Sequence, residues 1–120
     1  MPPSVMVWTM KRGEIWFANL DPARGSETAK RRPILIVSND ANNRGASTVT
    51  ILPITSNVAR VYPFEVALAK GSGGLSRASK IQAQQVRTIS RERISGKRVG
   101  ALTDDQLGEV DAALRLHLAL

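Results

Sequence analysis

Residues 31–40 read RRPILIVSND. Within them ILIVS, residues 34–38, is an almost unbroken apolar run, too short for a helix and consistent with a strand buried on both faces. A strand of that kind needs partners on either side, and the flanking sequence offers them. Upstream, residues 14–20 (EIWFANL) are rich in aromatic and branched side chains. Downstream, residues 48–54 (TVTILPI) form another apolar run, with Pro53 near its end. The connections read as loops. Residues 21–32 (DPARGSETAKRR) are punctuated by Pro22 and Gly25 and carry five charges after Asp21; residues 39–47 are rich in Asn and Gly.

The pattern continues toward the C-terminus. Residues 64–68 (FEVAL) alternate in and out after Pro63, and residues 70–74 (KGSGG) read as a flexible turn. Residues 80–89 (KIQAQQVRTI) alternate weakly and contain a strand, and residues 99–102 form a last short strand after Gly96. Thr103-Asp104-Asp105-Gln106 is a capping box, with acids in the first turn where the helix dipole favours them. Leu107, Val110, Leu114 and Leu118 follow at helical spacing and predict one amphipathic helix, whose stripe also takes in His117. Five to seven short strands and then one helix predict a mainly β, α+β domain built as a small antiparallel β-barrel. The connections are too short for the crossover helices of a parallel sheet.

The 120 residues suit one domain. Residues 1–10 read as a flexible leader, because Met10 opens a second plausible start, and residues 11–120 as the folded domain. No apolar run nears the ~18–20 residues that cross a bilayer. The first positive charges follow the N-terminal apolar stretch rather than precede it, opposite to a secretory signal. A cytoplasmic protein with no membrane contact is expected. There is no cysteine, which excludes disulfides, thiol catalysis and Cys-ligated zinc, and the single histidine, His117, excludes an HExxH site. Phosphate-loop and dinucleotide motifs are absent, so neither a metal nor a cofactor is expected.

Charge points the other way, toward a partner. Lys and Arg total 17 against 10 acids, a net +7. Residues 103–120 hold Asp104, Asp105, Glu109 and Asp111 against Arg115, a local −3 that leaves +10 on residues 1–102. A field of that sign suits a polyanion, and nucleic acid is the commonest one.

Two stretches carry chemistry. In residues 25–33 (GSETAKRRP) a Gly-Ser-Glu turn and an Arg-Pro step place a carboxylate, Glu27, and a guanidinium, Arg32, at the ends of one loop. In residues 53–56 (PITS) a strand exits into a hydroxyl pair; if the two strands are neighbours, Arg32 and Thr55 sit side by side at one mouth of the barrel. Such a pair suits metal-free cleavage of RNA, which carries its own nucleophile, the 2′-hydroxyl. The protein then needs only to align the link and stabilise the charged phosphorane. Arginine's planar fork fits two phosphate oxygens and a threonine hydroxyl donates to another. With a pKa above ~12 arginine is a poor base, which leaves Glu27 or a water for that role. The same residue types also fit a plainer reading: a solvated arginine, a surface pair of Glu27 with Lys30 or Arg31, and Thr55 as a strand former.

Taken in order, KRGEIWFANLDPARGSE, RRPILIVSND, ILPITSN, YPFEV, QQVRTISRERI and VDAALRLHLAL resemble the MazF/PemK family of toxin endoribonucleases, from about Met10 to Leu120. The resemblance implies the SH3-like antiparallel barrel of MazF, PemK and CcdB, working as a homodimer. It implies ribosome-independent, sequence-specific cleavage of single-stranded RNA that leaves a 2′,3′-cyclic phosphate and a 5′-hydroxyl and so inhibits growth. By motif it makes Arg32 and Thr55 catalytic and Glu27 the acid of the loop. It places Asn39, Asn43, Gln85 and Arg87 along an RNA groove at the dimer interface. Arg31, where many relatives carry a small residue, adds a phosphate contact or stands in for Arg32. The partner it implies is an antitoxin whose acidic, disordered C-terminal segment folds onto the basic groove. Two other classes use a similar barrel: a CcdB-like toxin that binds gyrase and cleaves nothing, and an RNA-binding module without activity. The Arg32-Pro33 and Thr55 motifs weigh against the gyrase binder.

Overall fold

The computed structural model describes residues 10–120. The expected leader falls outside the described residues except for Met10, which is buried. Strand β2 (Arg31–Ile36) lies at the centre, pairing antiparallel with β1 (Glu14–Asn19) on one edge and β3 (Thr48–Thr55) on the other. With both edges paired, its side chains alternate between two cores. Leu35 packs with Ile15, Leu52, Ile54, Ile81 and Val110, while Ile34 and Ile36 pack with Trp16, Val49, Ile51 and Ile89. The apolar run is therefore covered on both faces, as its composition requires. Each such side chain contributes ~1.5–3 kcal/mol by leaving water.

The rest of the sheet hangs on this centre. β7 (Ile94–Ala101) pairs with β1 across a bulge, and β3 divides along its outer edge. Its first half pairs with β6 (Arg87–Ser90) and its last two residues with β5 (Ser79–Gln82), which carries β4 (Glu65–Leu68). The path β4-β5-β3-β2-β1-β7, with β6 branching from β3, is antiparallel throughout and remains open between β4 and β7 among the described residues. The capping box is present in full, and the helix it starts (Asp104–Leu118) lays Val110 and Ala113 on the first core. Fold class and the C-terminal helix are thus as expected.

Five local expectations need correction. Residues 39–47 are not all loop: a short helix, α1 (Asp40–Gly45), forms because the Asn39 side chain accepts a hydrogen bond from the Asn42 N–H at 2.8 Å and caps it. The C-terminal helix is accordingly α2. Residues 80–89 hold two strands separated by a 3-10 turn (Ala83–Gln85), and the last strand starts at Ile94 rather than after Gly96, whose φ of +81° lets the chain bend within it. The turn at residues 70–74 is docked rather than loose. Added Cβ atoms on Gly74 and Gly100 would stand 2.2 Å from Val99 O and Gly73 O, so this backbone-on-backbone contact admits only glycine. Finally, Leu118 and His117 leave the packed stripe: both are exposed near the helix end.

Candidate active site at one end of the central strands

The β2–β3 register pairs Ile34 with Pro53 and Leu35 with Leu52. Continued by two residues, it sets Arg32 opposite Thr55. Pro33 restricts the residue before it to extended backbone, which keeps Arg32 in the strand rather than the loop. The side chains meet as this register demands. Arg32 donates from Nη1 to Thr55 Oγ1 at 3.4 Å and from Nε to the Ala29 carbonyl at 2.7 Å, so the loop itself holds the guanidinium. Thr55 Oγ1 also accepts from the Asn57 N–H at 3.2 Å. A hydroxyl has two lone pairs and one proton; with both lone pairs engaged, its own O–H is left to donate outward.

The loop that shapes this site is itself fastened. Lys30 turns the chain into β2 at φ +70°, with its N–H on the Asp21 carboxylate at 2.9 Å. Thr28 donates from Oγ1 to Gln82 Oε1 at 2.7 Å and from its N–H to Gln85 Oε1 at 3.3 Å, and Gln85 Nε2 reaches the Ser26 carbonyl at 3.1 Å. Arg87 donates to the Leu20 carbonyl at 3.2 Å, and Arg93 donates to the carbonyls of Asn19 and Asp21. Gln85 and Arg87 therefore both hold the loop in place. Glu27 is at the exposed tip of this loop. Its Oε1 accepts the Arg24 N–H at 2.6 Å, and no hydrogen bond or ion pair joins it to Lys30, Arg31, Arg32 or Thr55 among the described residues.

Arg31 is exposed, and its guanidinium lies over the Phe17 ring at 4.4 Å from the centroid. The two asparagines lie elsewhere. Asn39 caps α1 beyond the far end of β2, seven residues along the chain from Arg32. Asn43 is fully buried, its Oδ1 accepting from Ser38 Oγ at 2.6 Å and its Nδ2 donating to the Ser38 carbonyl at 2.9 Å. It has no edge to show a base, and its expected place in the groove is corrected to a structural one.

A buried ion pair next to the site escaped sequence reasoning. Lys80 stands opposite Thr55 in the β3–β5 register, and its Nζ donates to Glu65 Oε1 at 2.9 Å and to the Arg60 carbonyl at 2.6 Å. Gln84 Nε2 and the Tyr62 N–H complete the carboxylate's shell at 2.6 and 3.0 Å. Burial pushes the Glu65 carboxyl up, but the Tyr62 N–H, the Gln84 amide and Lys80 together outweigh it and hold the group below the usual carboxylate range. The available signal was an acid at an inward position of FEVAL, which demands a buried cation. No group of three or more acidic or histidine side chains able to hold a metal ion occurs among the described residues.

A fork of guanidinium donors beside an outward hydroxyl can grip a phosphodiester, and the chain's relatives narrow the use of such a grip. The family model described as PemK-like, MazF-like toxin of type II toxin-antitoxin system matches residues 11–118. The chain is 46% identical to endoribonuclease MazF9 of Mycobacterium tuberculosis (strain ATCC 25618 / H37Rv), with 92% of this chain and 98% of the relative covered. It is 37% identical to endoribonuclease EndoA of Bacillus subtilis (strain 168), over 92% and 96%. The crystal structure of MazF (Form-I) from Deinococcus radiodurans superimposes with a TM-score of 0.79 at 29% identity, over 92% of this chain and 97% of that one. Both sequence relatives are endoribonucleases, so the CcdB-like alternative is not favoured. A match that spans nearly the whole domain, on a fold that agrees, places this chain in the PemK-like, MazF-like family of toxins of type II toxin-antitoxin systems.

Proposed function

We propose that the protein is an endoribonuclease toxin that cuts single-stranded RNA at a short motif, without metal or ribosome, through the RNA's own 2′-hydroxyl. The observation that carries this reading is the Arg32–Thr55 contact, in which Thr55 Oγ1 accepts from both Arg32 and the Asn57 N–H. In the reaction the 2′-oxygen attacks phosphorus and its proton passes to a base. The bond from phosphorus to the 5′-oxygen breaks, and that oxygen takes a proton from water while the base later releases its own to solvent, giving a 2′,3′-cyclic phosphate and a 5′-hydroxyl. Arg32 grips two non-bridging oxygens and Thr55 donates to the developing charge, so both act most strongly on the phosphorane. To Glu27, the acid of this loop, we assign the role of taking the 2′-proton, exchanging its bond to the Arg24 N–H for one to substrate. Family membership brings an antitoxin, and the +10 body suits one with an acidic segment. In this reading the toxin works in the cytoplasm, where RNA is within reach.

A homodimer fits the surface. Leu116, Leu118 and Leu120 are exposed at the end of α2, and Val58, Val61 and Tyr62 are exposed on the strap before β4. The Phe64–His117 ring contact, 6.1 Å between centroids, joins the two patches, and a second copy of the chain would cover them. The test is direct: purified protein with a defined RNA in EDTA, the ends assigned by mass spectrometry. Cyclic phosphate ends are expected. Linear 3′-hydroxyl ends, or activity only with added metal, would reject the mechanism.

A further inference from the structure

On the face of β2 that carries Arg31, Pro33 and Leu35 lies a cleft of ≈ 290 Å³, of which the mechanism uses only the Arg32 edge. Phe17, Ile54 and Val99 give it apolar walls, while Arg31, Arg32 and Arg77 give it charge, and no acid lines it. Arg31 is backed by the Phe17 ring, and neither Arg31 nor Arg77 has an ion pair or a side-chain hydrogen bond among the described residues. The far wall, residues 74–77, is set by the glycine contact described above, in which Gly74 lies directly on Val99 and Gly100. The site is therefore preformed. Its volume is at the lower end of ligand sites, ~300–1,000 Å³.

Cations without carboxylates call for an anion, and a ring-backed guanidinium beside apolar walls calls for a flat partner. One unpaired nucleotide is both. We propose that this cleft is a nucleotide subsite next to the scissile link, with a base stacked on Arg31 and a phosphate held by Arg31 and Arg77. The assignment rests on the RNA-cleaving reading, since Arg32 borders both the cleft and Thr55. An acidic protein segment would match the charge but not the stacking surface.

The test is steady-state cleavage of a short single-stranded RNA by wild type, Arg31→Ala and Arg77→Ala, each first shown to melt as wild type does. KM should rise about tenfold in either variant with kcat within about twofold, because the subsite grips ground state and transition state alike. The slope of log KM against log salt should fall by ~0.7 in Arg77→Ala, since one phosphate of a single strand then goes without its cation. A single abasic nucleotide walked along the RNA should raise KM at one flanking position in wild type and have no effect there in Arg31→Ala. Ser76→Trp, which fills the cleft from an exposed position, should reproduce the KM effect. Wild-type KM and salt slope in all three variants, while wild type cleaves, overturn the subsite and leave the function standing. Normal RNA kinetics with weakened binding of an acidic peptide assign the cleft to a protein and also overturn it. No cleavage by wild type on any RNA removes the reading itself, and the subsite with it.

Discussion

At one end of β2 stand Arg32, Thr55 and Gln85; at the other stand Ser38, Asn39, Asn43 and Arg91. The residue types are nearly the same, but their surroundings are not. Around Asn43 the polar groups satisfy one another in the interior: Ser38 and Asn43 exchange hydrogen bonds, and the buried Arg91 donates to the Asn43 carbonyl. Around Arg32 donors outnumber acceptors. Two of five guanidinium N–H groups are placed on Ala29 and Thr55, and Thr55 Oγ1 accepts from both Arg32 and Asn57, which leaves its own proton free to donate. The first end is a polar knot that holds α1 to β3; the second is a set of donors awaiting an anion. What separates a site from a scaffold is the surplus of hydrogen-bonding capacity, which residue type alone does not disclose.

That contrast is open to attack at both ends. Removing the fork should matter most: Arg32→Ala should lower kcat by at least ~10³-fold while the melting temperature stays within a few degrees, as read by single-turnover cleavage and thermal denaturation. A variant that cleaves at the wild-type rate takes Arg32 out of the mechanism. Thr55→Ala should cost less, about 10²-fold, the usual loss for one transition-state donor. An unchanged rate would make the hydroxyl structural.

The other end should respond in stability and not in rate. Asn43→Ala strands the Ser38 partners and should cost ~1–3 kcal/mol in denaturant unfolding, with kcat per folded molecule unchanged. A rate loss without a stability loss would put Asn43 in the RNA groove after all.

The smallest effect concerns the ion pair beside Thr55. Because the Glu65 carboxyl is held below its unfolded value, it contributes stability that is complete above the unfolded pKa of ~4.3 and lost as pH falls through the folded one. Wild type should therefore lose melting temperature between about pH 5 and pH 3, and Glu65→Gln should lose less over that interval. Parallel curves would show that Lys80 and its neighbours do not favour the ionised form.

The same comparison explains what could be read from sequence. The central strand was legible because an apolar run of that length has few other folds, and Arg32 met Thr55 because adjacent antiparallel strands bring their ends together. Gly-Ser-Glu signalled a loop but not where Glu27 turns, since the Arg24 N–H that receives it is a backbone group with no signature. The helix after Asn39 was hidden by DANNRG, poor in helix formers and stabilised mainly by its cap. Asn43 looked like a base reader because burial is a property of the assembled sheet. The Gly73-Gly74 contact with Val99-Gly100 joins segments about 25 residues apart, so KGSGG looked flexible.

The central claim is that the ribose delivers the nucleophile and the protein's guanidinium meets the charge. It is tested most directly by mapping the cut in one RNA in EDTA and then replacing the 2′-hydroxyl at that link alone with hydrogen. Cleavage there should vanish while the modified strand still competes for binding. Continued scission at the deoxy link would contradict the account, whatever the behaviour of the variants.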